Sequence, residues 1–189
     1  MGDNQGAIRA SVSTGFRAPS LHQIYLSNIQ TLVSGGTVSN QGTFNNVSPV
    51  IRALGVPAVD AETSLNFTAG VTYKLAEGFS VSADYYNIAV DDRVLFTGEI
   101  GFDGDDNTTN PIEQILIDNS VTSIKLFVNA LDTRTQGFDL VADYRDISVG
   151  SNAELNFILS MNINSTDIDG AIQAPGVIGD QNIDIFNRK

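Results

Sequence analysis

The sequence predicts an all-β fold: an antiparallel up-and-down sheet of about five strands from a transmembrane β-barrel. The first observation is alternation, since residues 65–74 and 79–86 each alternate apolar and polar side chains. Because a strand turns successive side chains to opposite faces, each segment has one apolar and one polar face. The second observation is spacing. Segments of roughly ten residues, enough to cross a bilayer when tilted, are joined by short turns at one end and long polar loops at the other.

The five predicted strands follow the same alternation. They cover about residues 6–16, 65–74, 79–90, 127–144 and 153–163. Pro19 ends the first strand, because proline cannot donate to a sheet ladder. In the third strand Ile88 and Val90 fall on the polar parity, so either a bulge shifts the register or the strand has left the membrane there. Three aromatic residues on the apolar parity lie beside the short turns, as in the aromatic girdle of a membrane barrel. They are Tyr73, Phe79 and Tyr144.

Residues 20–61 and 91–125 are predicted to be long polar loops, and residues 165–189 begin a third. Gly35-Gly36 acts as a breaker in the first loop. In the second, residues 112–117 are compatible with a helical turn or a short strand. The acidic run 103–107 resembles a calcium loop, but it lacks the glycine and glutamate that such a loop requires, so no bound metal is expected.

Composition agrees with this fold and excludes other classes. No apolar run approaches the roughly 18 residues of a membrane-spanning helix, which excludes an α-helical membrane protein. The net charge of −12 leaves no basic stripe for phosphates, so nucleic acid is not an expected partner. The chain has no cysteine, and its single histidine, His22, has no nucleophile and base spaced around it. We therefore expect neither an enzyme nor a cofactor.

The strand count predicts that residues 1–189 are part of a longer barrel. With the short turns in the periplasm, five strands leave the chain outside the cell, whereas complete bacterial barrels have an even strand number. Five strands also cannot close, which leaves two open edges. The first four residues lack the basic stretch and apolar core of a signal peptide.

Four blocks of sequence resemble the barrel of TonB-dependent outer-membrane receptors, in the order and spacing of that family. The blocks are 15–21, 62–66, 84–94 and 129–140. The resemblance implies a 22-stranded barrel in the outer membrane of a Gram-negative bacterium, filled by an N-terminal plug. It also implies uptake of a scarce ligand, usually a ferric siderophore and in other members cobalamin, haem or glycans. The plug and the terminal strands are absent from this sequence, so the chain could not transport alone.

The candidate ligand-binding residues belong to two groups. They are Arg17, His22, Gln23, Tyr25 and Tyr86. The first four follow the first strand, where a receptor could contact an anionic or catecholate ligand. Tyr86 shares the polar parity with three acids that we expect to face the lumen and hydrogen-bond a plug or water. The acids are Asp84, Asp139 and Asp143.

The sequence thus predicts part of an outer-membrane receptor for energised uptake. Expected partners are outer-membrane lipid, an inner-membrane energy-transducing complex reached through the missing plug, and a small-molecule ligand. Two alternatives stay open at this point. One is a passive outer-membrane porin. The other is a soluble β-sandwich carbohydrate-binding module, in which the apolar faces pack together.

Overall fold

The computed structural model describes residues 5–101, 111–149 and 153–169, which form two compact units. We call them the strand unit (residues 5–15, 64–90, 133–149 and 153–169) and the loop unit (16–63, 91–101 and 111–132). In chain order the elements are β1 (Gly6–Arg17), α1 (Leu21–Tyr25), β2 (Asn28–Ser34), β3 (Thr37–Thr43), α2 (Pro49–Ala53), β4 (Glu62–Ala76), β5 (Phe79–Phe96), β6 (Ile100–Gly101), α3 (Pro111–Asp118), β7 (Ser123–Lys125), β8 (Phe127–Val149) and β9 (Ala153–Ile168).

The five predicted strands are confirmed as one antiparallel sheet, in the order β1-β4-β5-β8-β9. Each of these strands extends beyond the residues whose alternation predicted it. β4 and β5 are joined by a tight turn in which Gly78 has a φ of +72°. β8 pairs antiparallel with β9, and a bulge interrupts the register between Tyr144 and Ile147. β5 runs on through Phe96, so the change of parity near Ile88 lies inside one continuous strand.

The apolar faces of the strand unit are exposed. Val12 on β1 and Ile163 on β9 show 69% and 57% of their surface, and Leu65 on β4 and Phe138 on β8 are exposed as well. The apolar parity of β5, the central strand of the sheet, is partly exposed. Among the described residues, every buried hydrophobic side chain belongs to the loop unit. A sandwich would pack its apolar faces into a core, so these exposures do not fit the soluble β-sandwich alternative. They fit a sheet whose apolar face lies against lipid.

The acids on the polar face are paired within the sheet. Arg9 on β1 reaches across β4 and donates from Nε to Asp84 Oδ1 at 2.7 Å, because Gly70 on β4 has no side chain in the way. Arg145 Nε donates to Asp143 Oδ2, also at 2.7 Å. These carboxylates thus have partners inside the sheet, and the expectation that they also hydrogen-bond a plug or water stays a prediction. Alternation gives the face on which an acid lies, but only strand order gives its neighbour.

The prediction of a long polar loop over residues 20–61 is wrong for residues 28–43, which form a regular hairpin. β2 and β3 pair antiparallel through seven residue pairs, from Asn28 with Thr43 to Ser34 with Thr37. Gly35 and Gly36, interpreted above as breakers, have φ values of 58° and 83°. Positive φ at both positions is what a two-residue hairpin turn of type I′ requires. The Gly35-Gly36 pair therefore indicates a hairpin turn between two strands rather than an irregular loop.

A second sheet continues from this hairpin, in the order β2-β3-β7-β6. β7 pairs parallel with β3, and β6 pairs antiparallel with β7. The buried core lies against this sheet, and α3 contributes Ile112 and Leu116, one helical turn apart. Residues 112–117, left undecided by the sequence, are thus helical. The acidic run 103–107 lies outside the described residues. No helix in the described part of the chain has the length and apolarity to cross a membrane.

Candidate ligand-binding site

Arg17 closes the end of β1 by pairing with Glu62 at the start of β4. Its Nε donates to Glu62 Oε2 at 3.0 Å, its Nη2 contacts the other carboxylate oxygen, and Val94 N donates to Glu62 Oε1 at 2.9 Å. Glu62 exposes 7% of its surface. Burial alone would raise the pKa of Glu62, but the hydrogen bonds from Arg17 and Val94 and the attraction to Arg17 and Arg93 together hold that pKa below its ordinary value. The same pairing raises the pKa of Arg17.

Asn129 connects two further segments of the loop unit. Its Nδ2 donates to the backbone oxygens of Asp60 at 3.0 Å and Asp92 at 2.6 Å, and its Oδ1 accepts from Asp60 N at 2.8 Å. Asp92 N in turn donates to Asp132 Oδ1 at 2.9 Å. Asp92 has a φ of 58°, a left-handed conformation that these contacts hold in place. The arrangement positions the chain around β5 and β8.

α1 begins with a capping box. Ser20 Oγ accepts from Gln23 N at 3.2 Å, and Gln23 Oε1 accepts from Ser20 N at 2.8 Å. This Ser-x-x-Gln spacing is a sequence signature of a helix start that the prediction of a loop overlooked. The box commits the Gln23 side chain to the helix. Tyr25, at the end of α1, is exposed and has no hydrogen bond or ring contact within the described residues.

His22 faces an aromatic pair. Its ring meets the Phe127 ring edge-on, with centroids 6.1 Å apart and planes at 71°, and Phe127 lies 4.7 Å from Phe96. These three residues line a cavity of about 480 Å³ in the loop unit, within the size range of small-molecule sites. Lys125 lies in the same lining, with its Nζ 3.4 Å from Glu99 Oε1.

Tyr86 belongs to the strand unit. Its hydroxyl accepts from Asn162 Nδ2 at 3.1 Å, so the side chain crosses β8 from β5 to β9. Gly137 makes room for it, because a Cβ there would lie 2.7 Å from the hydroxyl. Asn162 also donates to Asp139. Tyr86 thus has a partner inside the sheet, as the acids beside it do.

The five candidate residues therefore have different surroundings. His22 alone lines the cavity; Arg17 is paired with a carboxylate, Gln23 caps its helix, Tyr25 is exposed, and Tyr86 lies in the other unit. Their role in ligand binding stays a prediction.

Sequence reasoning passed over the cavity residues Lys125, Phe96 and Phe127. A signal existed. From Ile124 to Ala130 the even-numbered side chains are buried in the core, and the odd-numbered ones are partly exposed. A lysine on the odd parity of such a segment marks a face that is neither core nor open loop.

Comparison with known proteins identifies a family and a similar solved structure. The family described as TonB dependent receptor-like, β-barrel, matches residues 3–184. No curated protein matches the chain. Among solved structures, it is similar to the crystal structure of the siderophore receptor PirA from Pseudomonas aeruginosa, with 15% sequence identity and a TM-score of 0.47. The match covers 86% of this chain and 26% of that one, so the chain spans about a quarter of the length of that receptor.

Proposed function

The chain belongs to the TonB-dependent receptor-like β-barrel family, and from that premise we propose that it serves in the energised uptake of a scarce ligand. The family places it in the outer membrane of a Gram-negative bacterium, as a receptor rather than an enzyme. The observation that supports the proposal best is the contrast between the units. The strand unit exposes an apolar face, whereas the loop unit contains a packed core and a cavity.

We propose that residues 1–189 form one part of the barrel wall. β1 and β9 are the outer strands of the five-stranded sheet, and neither has a second neighbour among the described residues. Unpaired backbone groups are costly in lipid, so both edges need further strands. A plug that engages the inner-membrane complex would come from the same longer protein.

The loop unit is the proposed first contact with ligand, on the outside of the cell. Arg17, His22, Gln23 and Tyr25 are the proposed ligand contacts of this unit. His22 lines the cavity and Tyr25 is exposed, whereas a ligand would have to displace the present partners of Arg17 and Gln23. A ferric siderophore is the proposed ligand because it is the most frequent one in the family. Tyr86 is the proposed contact from the polar face of the strand unit.

Uptake of ⁵⁵Fe-labelled siderophores by cells carrying the full-length receptor tests the function. Accumulation should require the receptor gene and should stop when a protonophore collapses the proton gradient. Receptor-dependent entry that survives the protonophore would instead indicate a passive porin. If no siderophore is taken up but growth on another scarce nutrient depends on the gradient, the siderophore proposal is contradicted and the proposal of energised uptake is retained.

Topology is tested separately with epitopes. An epitope inserted after Gly36, at the tip of the β2–β3 hairpin, should bind antibody on intact cells because few backbone bonds are disturbed there. An epitope after Glu77, in the β4–β5 turn, should bind only after the outer membrane is breached. The reverse labelling would place the loop unit in the periplasm and overturn the proposal.

A further inference from the structure

The cavity of the loop unit has one wall made of polar side chains with unused hydrogen-bonding capacity. On β2 and β3, the pairs Asn28–Thr43 and Gln30–Gln41 place four side chains on one face of the hairpin, and all four line the cavity. Within the described residues, none of these four side chains donates or accepts a hydrogen bond. Three carboxamides and a hydroxyl therefore face the cavity, each able to donate and to accept.

The opposite face of the same hairpin is different. Thr31 Oγ1 donates to Asn40 Oδ1 at 2.8 Å, and Asn40 Nδ2 donates to the backbone oxygen of Ser120 at 3.2 Å. Polar groups on that face are thus used to hold the sheet together. The polar groups facing the cavity serve no such purpose, so they are available to a ligand with several hydroxyl or amide groups.

The second wall is cationic and aromatic. Lys125 lies beside Thr43 in the β3–β7 pairing, and its side chain is 24% exposed. The backbone around it is fixed, because Phe44 N donates to Lys125 O at 3.0 Å and Leu126 N donates to Thr97 Oγ1 at 3.1 Å. In the part of the chain that the structure describes, Lys125 has one acidic partner, the exposed Glu99, with Nζ 3.4 Å from Oε1. An ammonium group has three donors, so two are left for an anion.

Charge decides the class of ligand. The whole chain has a net charge of −12, yet among the described residues that line the cavity there is no carboxylate, and Lys125 is the one that carries a permanent charge. We propose that the cavity binds a hydroxylated carboxylate: Lys125 takes the carboxylate, the carboxamide wall takes the hydroxyls, and the rings of Phe96 and Phe127 take the apolar side. This proposal rests on the proposed receptor function and specifies the chemistry of its ligand. Acidic sugars and the hydroxycarboxylate groups of an iron chelate share this chemistry.

Isothermal titration of the full-length receptor in detergent tests the proposal. The probes are galacturonate against the neutral sugar galactose, and citrate with and without ferric iron. Galacturonate and galactose have the same sugar ring and differ in charge. We expect galacturonate or citrate to bind. If galacturonate binds, its affinity should be about tenfold higher than that of galactose, because a hydrogen bond to a charged group contributes about that factor to the affinity. Binding of galacturonate identifies an acidic sugar, and binding of citrate only with iron identifies a chelate.

Two variants assign the effect to the cavity. Lys125→Gln should weaken carboxylate binding about tenfold and leave galactose binding unchanged. Lys74→Gln, which removes a lysine of the strand unit, should change neither. Folding of both variants is checked by their migration on unheated gels.

Binding of neither carboxylate, or equal binding by wild type and Lys125→Gln, would overturn the inference. Protonophore-sensitive uptake of another ligand would still support the receptor function in that case. Carboxylate binding without any gradient-dependent uptake would contradict the receptor function and retain the binding site.

Discussion

Replacement of Glu62 by glutamine removes the charge that joins the ends of β1, β4 and β5. The carboxylate of Glu62 accepts from Arg17 Nε at 3.0 Å and from Val94 N at 2.9 Å, and Arg17 Nη2 contacts it as well. Glutamine is nearly isosteric and retains one oxygen. Its amide NH₂ cannot accept from the guanidinium, so one side of the two-point contact is lost.

The size of the effect follows from burial. A hydrogen bond to a charged group contributes about 1.5–3 kcal/mol to stability. The Arg17 side chain is 62% exposed, so water replaces part of the hydrogen bonding that it loses in the variant. The lower end of that energy range therefore applies. We expect Glu62→Gln to lower the free energy of unfolding at pH 7 by about 1–2 kcal/mol.

The stabilisation contributed by Glu62 depends on pH, and the direction of its pKa shift says how. The pKa of Glu62 lies below its ordinary value of 4.5 in the folded protein. A lowered folded pKa contributes stability above the unfolded pKa, and that contribution is lost as pH falls through the folded pKa. Below about pH 4.5 the wild type should therefore lose this stabilisation and approach the variant.

Guanidinium unfolding of the full-length protein in detergent, at pH 7 and pH 3, measures both quantities. Glu77→Gln in the β4–β5 turn is the matched control, because Glu77 is exposed and has no ion pair within the described residues. The variant Arg17→Gln should couple with Glu62→Gln, so that the two effects are less than additive. A gap between wild type and Glu62→Gln that is the same at both pH values would refute the argument, as would full additivity.

Three further substitutions test the faces of the five-stranded sheet. Gly137→Ala places a Cβ 2.6 Å from the backbone oxygen of Ile163 and 2.7 Å from the hydroxyl of Tyr86, and should lower the thermal midpoint, with a cost of about 1–3 kcal/mol. An unchanged midpoint would show that Tyr86 does not cross β8 there. Ala83→Arg puts a charge on the apolar face and should cost about 2–4 kcal/mol near the bilayer midplane, whereas Ser82→Arg on the polar face should be tolerated in the same unfolding assay. Equal losses for the two arginine variants would contradict the barrel.

The candidate site was only partly accessible to sequence reasoning. The sequence blocks that indicate the family contain Arg17, Glu62 and Asn129, and the structure brings them into contacts between chain segments. Their partners could not be predicted, because they depend on which strands lie side by side. The cavity residue Lys125 was missed because its neighbour, Thr43, lies 82 residues earlier in the chain.

Alternation along the sequence determined the five long strands and their two faces. It is a local property, since each side chain's face follows from its parity alone, and the exposed apolar face at β1, β4 and β9 agrees with it. The second sheet was decided by tertiary structure. β3 forms a parallel pair with β7, from Gln41–Ser123 to Thr43–Lys125, and no periodicity within either short segment specifies a partner so distant in the chain. The cavity lies on that sheet. The physical reason is that pairing and burial between remote segments, unlike strand parity, have no signature in the local order of residues.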